Sequence, residues 1–179
     1  FPMLPERLCT DLTSLNLQQD RLAIVTEMIV DADGSVLDST VHRARVRNHA
    51  KLAYDAVAAW IEGTGALPEA ARAVPGMEQQ LRTQDAVAQR MRVLRRAQGS
   101  LDFVTFAPRA VFEADRVVAI RQQEQNRARQ LIEEFMIATN TCTARFLAQH
   151  GGSSLRRVVR SPERWLRIVE VAKKYGEAL

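Results

Sequence analysis

Arg21-Leu-Ala-Ile-Val-Thr-Glu-Met-Ile-Val30, then Asp31-Ala-Asp-Gly34, then Ser35-Val-Leu-Asp-Ser-Thr-Val-His-Arg-Ala-Arg-Val46 is the stretch that decides the fold. Two runs rich in β-branched residues flank an Asp-Gly pair, and that order predicts a β-hairpin. In the second run Val36, Thr40, Val41, Arg43, Arg45 and Arg47 roughly alternate, as a strand with one wet face requires. Asp31 and Asp33 suggest a calcium loop at first sight, but the twelve-residue ligand pattern closing on Glu is not there. The pair reads as a turn.

Working outward, Pro5 sits at a first-turn position ahead of a short helix over Glu6 to Leu12. Beyond the hairpin, Asn48 is the expected N-cap of a helix over residues 49–62, closed by Gly63. Lys51, Asp55 and Glu62 share one narrow face of it, so most of the helix should be buried. Tyr54 falls at the border of that polar strip, where a ring can pack and its hydroxyl stays reachable. Residues 63–76 read as a loop, 77–97 as a helix of mixed charge, and 101–106 as a short strand. Residues 111–113 and 116–120 read as further short strands. A long helix is expected over 122–149, with Leu131, Phe135, Ala138 and Cys142 forming its apolar stripe and Ile132, Met136 and Phe146 widening it. Glu133 lines up with Asn140 near the packed face, while Glu134, Thr141 and Arg145 are expected to point outward. A strand over 155–159 and a last helix from Ser161-Pro162 through Lys174 complete the chain. The class is α+β: mixed helices with short antiparallel strands, including the hairpin near residues 21–47.

The composition fits one ordinary domain or a piece of a larger one, at 179 residues, 46% hydrophobic and 26% charged, which excludes a disordered chain. Eight Gly and six Pro exclude collagen-like sequence. No apolar stretch is long enough to span a bilayer, and no signal peptide is read. Cys9 and Cys142 are too few for a disulfide framework, so they are expected as small buried apolar residues in a reducing cytoplasm. A start at Phe1-Pro2 rather than Met leads us to expect a processed product or a fragment. The net charge is +4, and the arginines cluster: Arg43, Arg45 and Arg47; Arg90, Arg92, Arg95 and Arg96; Arg156, Arg157, Arg160, Arg164 and Arg167. Three such runs favour a polyanionic partner over an acidic small molecule.

The familiar enzyme constellations are absent. There is no P-loop, GxGxxG, GxSxG elbow or His/Cys metal spacing, and His42, His49 and His150 are scattered singly. No cluster of Asp residues is placed to grip two magnesium ions. These patterns alone end at a basic, cytoplasmic α+β domain.

Resemblance extends the reading. Phe1-Pro-Met-Leu-Pro-Glu-Arg-Leu-Cys-Thr-Asp-Leu-Thr-Ser-Leu15 resembles the PMLP-x-x-LS-x-x-LCSL segment of the ribonuclease II/R family, the RNB catalytic domain of 3′→5′ exoribonucleases. Ala50-Lys-Leu-Ala-Tyr-Asp-Ala-Val57 is similar to its AKL-x-Y-x-x-V helix, and Gly99-Ser-Leu-Asp-Phe103 to its GALDF strand. Leu131-Ile-Glu-Glu-Phe-Met-Ile-Ala-Thr-Asn140 resembles its LIEEFM-x-x-AN helix, and Arg157-Val158 with Pro162 its RVHE-x-P stretch. The matches keep family order and spacing over nearly the whole chain. Cys9, Thr13 and Thr139 are near-isosteric departures, and Val159 stands where the family has His.

The resemblance implies a central segment of an RNB-type catalytic domain over residues 1–179, truncated at both ends. The family hydrolyses single-stranded RNA, threaded through a channel, to nucleoside monophosphates. Its Mg2+ is held by aspartates in a motif upstream of the segment matched here, and its SPIRRY motif lies downstream, so the resemblance implies no catalytic or metal residue in this chain. Three RNA contacts are implied within it. Tyr54 matches a tyrosine that reads RNA rather than DNA, a task suited to a phenol within reach of the ribose 2′-hydroxyl. Phe103 matches an aromatic that stacks on the terminal base; on residue type alone Phe106 is an equal candidate. Glu133 matches a glutamate at the 3′-terminal sugar, where an acceptor-only carboxylate can hold hydroxyls. The implied partner is single-stranded RNA, met by a monomer without membrane attachment, and the chain alone is expected to be inactive. Two alternatives remain: a non-catalytic RNA-binding module that kept the scaffold and lost the metal site, and a protein-interaction domain with incidental basic faces.

Overall fold

The computed structural model describes residues 3–100, 108–122, 125–155 and 164–177. The hairpin forms as expected. β1 (Asp20–Val30) and β2 (Val36–Arg47) pair antiparallel from Asp20↔Arg47 to Val30↔Val36, with a register shift between Ile29 and Val30. The turn closes through Asp31 N–H to Ser35 O (2.9 Å) and Ser35 N–H to Asp33 Oδ1 (2.8 Å). Gly34 is required there twice over. Its φ is +93°, and a Cβ would lie 2.5 Å from the carbonyl carbon of Arg90, so the turn lies directly on the backbone of a helix.

Alternation along β1 does not hold one phase. Val25 and Thr26 are both half-buried, and beyond them the pattern inverts. Leu22 is 86% exposed near the open end, whereas Ile29, on the opposite face, is exposed near the turn. A long two-stranded ribbon twists strongly, so its two halves present opposite faces to the rest of the molecule. A second hairpin, β3 (Pro108–Glu113) with β4 (Arg116–Gln122), turns at Ala114, whose φ is +52°.

The helices are α1 (Tyr54–Ile61), α2 (Glu69–Arg72), α3 (Met77–Ala97), α4 (Arg127–Gln149) and α5 (Trp165–Lys174). Ahead of the first hairpin, Leu8–Leu12 form a wide π-helical turn. The core gathers where α1 meets α3 and α4. Val57, Ala58 and Ala128 form one buried cluster; Trp60, Ala71 and Leu81 form another, and Leu52 and Ile61 pack on both. Arg82 lies over the Trp60 ring at 4.5 Å, its stem covering apolar surface while its charge stays wet.

Several expectations need correction. The helix after Asn48 begins at Tyr54, not at residue 49. Asn48 remains tied to the strand region by a bridge to Leu17; its side chain accepts from Ala50 N–H and donates to Leu15 O. Spent locally, that side chain caps no helix. The loop over 63–76 contains the short α2. β4 runs on to Gln122, which delays α4 to Arg127, where Asn126 supplies the cap by accepting from Arg129 N–H at 3.0 Å. Ile132 and Met136 are exposed rather than part of the packed stripe. The two glutamates on α4 are the reverse of the expectation: Glu134 is buried and Glu133 is exposed. The expected strand over 101–106 and the helix start at Ser161-Pro162 lie outside the described residues, as does most of the expected strand over 155–159. No helix among the described residues is long and apolar enough to cross a membrane.

Candidate functional site

The first turns of α4 are built from charges that α1 and α3 hold in place. Asp55 accepts from Asn126 Nδ2 at 3.0 Å, and Glu62, at the C-terminal end of α1, accepts from Arg127 N–H at 3.1 Å. Two α1 carboxylates seven residues apart thus meet the α4 N-terminus, where free N–H groups and the helix dipole favour anions. The Arg127 guanidinium pairs with Asp85 of α3 through two bonds, at 3.0 and 2.5 Å. This hydrogen bonding holds the Arg127 pKa above its ordinary value.

Tyr54 is the first helical residue of α1 and is 44% exposed. The Arg129 guanidinium lies 5.0 Å from its ring centroid and reaches Asp55 Oδ1 at 3.5 Å. Glu133 is one turn further along α4, exposed, with Arg129 at the i−4 position. Next to it, Glu134 turns inward and meets Arg95 of α3 in a two-bond pair, Nη2–Oε1 2.6 Å and Nε–Oε2 3.1 Å. Arg95 also donates to the Ser100 hydroxyl. Its pKa is raised, first by the Glu134 hydrogen bond and in smaller part by the charge of Glu133. Between the hairpin turn, α3 and α4 lies a cavity of about 350 Å³, lined by Val36, Met91, Glu134 and Arg145 among others.

Of the three residues singled out from sequence, Tyr54 and Glu133 are therefore both exposed, and Arg129, which lies over the Tyr54 ring, precedes Glu133 by four residues on α4. Phe103 lies outside the described residues. Arg129, Arg95 and Glu134 were not foreseen. One signal for Glu134 was available: Leu131, Glu134, Ala138 and Cys142 follow helical spacing, and a carboxylate inside an apolar stripe demands a partner. Arg129 has no comparable signal, because its contact with Tyr54 joins residues far apart in the chain.

The exposed residues can offer hydrogen bonds and a flat ring. Among the described residues no group of three or more His, Cys, Asp or Glu side chains comes together to hold a metal ion, so this part of the chain does not fit one.

The RNB domain family model matches residues 1–174. The chain belongs to the RNB domain family. Ribonuclease R of Vibrio parahaemolyticus is 33% identical over 162 residues, 90% of this chain and 19% of that protein. Ribonuclease R of Escherichia coli is 33% identical over 163 residues, 90% of this chain and 20% of that protein. Exoribonuclease 2 of Cronobacter sakazakii is 33% identical over 165 residues, 88% of this chain and 24% of that protein. This RNB chain thus spans about a fifth to a quarter of the length of these relatives. Among solved structures, the apo form of Mycoplasma genitalium RNase R superposes with a TM-score of 0.82 at 22% identity, over 98% of this chain and 27% of that one. The same enzyme in complex with ribose-methylated single-stranded RNA gives the same score and coverage. At this identity the superposition establishes the fold: the mixed helices and antiparallel hairpins are those of the RNB region of RNase R.

Proposed function

We propose that this chain is the central segment of the catalytic domain of a hydrolytic 3′→5′ exoribonuclease. It contributes part of the wall along which single-stranded RNA travels as it is degraded to nucleoside monophosphates. The observation that carries this reading is the RNB match over residues 1–174. Tyr54 offers its phenol to a ribose 2′-hydroxyl, the group that separates RNA from DNA. Phe103 stacks on the terminal base, a contact that tolerates any sequence and is worth roughly 1–3 kcal/mol. Glu133, exposed on α4, accepts from the hydroxyls of the 3′-terminal sugar. The relatives named as ribonucleases and the RNase R complexes with RNA support the same substrate class.

The magnesium that the family uses is proposed to be held by polypeptide other than the residues described here, none of which forms a fitting cluster. The free thiols Cys9 and Cys142 suit a cytoplasmic setting. End-labelled single-stranded RNA incubated with magnesium separates the parts of this reading. The isolated chain is expected to release no mononucleotides, whereas the same segment within a full-length RNB protein is expected to release them from the 3′ end. Mononucleotide release by the isolated chain, or none from the full-length protein, contradicts the proposal.

A further inference from the structure

We infer that Arg129 is a positioning residue for Tyr54 and thereby sets how strongly this segment prefers ribose to deoxyribose; this rests on the proposed role of Tyr54. Tyr54 is the first helical residue of α1 and 44% exposed, with no side-chain hydrogen bond at the α1 N-terminus to fix the start of the helix. A ring at such a place turns readily about its χ angles, and a hydroxyl must be fixed to tell a 2′-OH from a 2′-H. The Arg129 guanidinium, 5.0 Å from the ring centroid, occupies the ring's face. A planar cation on a π-face holds that face in register with its own plane.

Arg129 is itself held from two sides. Its backbone N–H is bonded to the Asn126 cap at 3.0 Å, and its guanidinium reaches Asp55, the residue after Tyr54, at 3.5 Å. Asn126 in turn donates to Asp55 at 3.0 Å, which closes a ring of contacts between the start of α1 and the start of α4. The phenol is thus fixed relative to α4, the helix that carries Glu133. A fold role alone would change stability; a positioning role changes the choice between sugars.

The test uses the 179-residue chain and two fluorescent oligonucleotides of one sequence, ribo and deoxyribo, with the ratio of their affinities as the readout. Tyr54→Phe is expected to lower that ratio about fivefold, the worth of one hydrogen bond. Arg129→Ala is expected to lower it about threefold, Arg129→Lys less, and the double variant no further than Tyr54→Phe alone, as coupled residues require. Tyrosine ring NMR without RNA, with the signal assigned through Tyr54→Phe, is expected to shift in Arg129→Ala. A ratio lowered by Tyr54→Phe but untouched by Arg129→Ala overturns this inference and leaves the Tyr54 contact standing. A ratio untouched by Tyr54→Phe overturns the proposed role of Tyr54 and this inference with it. A ratio that falls additively in the double variant assigns Arg129 its own RNA contact and overturns the positioning role.

Discussion

The junction of α1, α3 and α4 and the long β1–β2 hairpin use the same chemistry to opposite effect. Both are fastened by arginine–carboxylate pairs. At the junction Arg95 grips Glu134, which is 3% exposed, through two bonds; on the hairpin Arg47 meets Asp20 at 2.6 Å with both side chains well exposed. Water screens the second pair and not the first, so geometry alone does not rank them. The apolar residues follow the same division. Val57, Ala58 and Leu131 are buried at the junction, while Leu22 and Ile24 stand out from the hairpin beside Arg43 and Arg45, their cross-strand partners. The junction is fixed by its own contacts; the open end of the hairpin presents a surface.

The sharpest way to break this comparison is Glu134→Ala. It strands the Arg95 charge, and about 4 kcal/mol of stability should be lost in a denaturant titration. The change should be far smaller if Arg95→Met is added, because the uncompensated charge is then gone too. Next comes a point where the two regions meet at backbone level. Gly34→Ala introduces a Cβ into the Arg90–Met91 backbone at a positive φ, and roughly 3 kcal/mol should be lost as the hairpin turn lifts from α3. Hydrogen exchange is expected to show the amides of both elements opening together.

Acid sharpens the contrast further. Asp20 is held below the usual carboxylate range, mainly by the Arg47 hydrogen bond, and Asp33 likewise, mainly by the Ser35 N–H. A depressed folded pKa contributes stability above the ordinary carboxylate range and loses it as pH falls through the folded value. Hairpin amides should therefore lose protection only below that ordinary range and be indifferent to pH near neutrality. Arg47, Arg95 and Arg127 have raised pKa values, so loss of the guanidinium charge weakens their pairs only in strong alkali. The smallest effect belongs to Asp20→Asn, for which no measurable change in melting temperature is expected.

What the sequence made legible follows from range. The hairpin and the α3 boundaries at Met77 and Ala97 depend on neighbouring residues, and both were readable. The start of α1 was not, because Asn48 spends its side chain on Ala50 and Leu15, the latter 33 positions away. Glu134 was misread as outward because its partner lies 39 positions away, on another helix. The sequence marked Tyr54 and Glu133 through family motifs, whereas the contact of Arg129 with Tyr54 appears only once α1 and α4 are packed.

The central claim is that Tyr54, Phe103 and Glu133 line one path for the 3′ end of an RNA strand. Photo-crosslinking single-stranded RNA that carries a 3′-terminal 4-thiouridine to the full chain, with the adducts mapped by mass spectrometry, tests it most directly. Adducts on the peptides bearing Phe103 and the Arg129–Glu133 turn, lost in competition with unlabelled RNA, are the expected result. Adducts confined to the arginines of β2 or to α5, with none on those peptides, would contradict it.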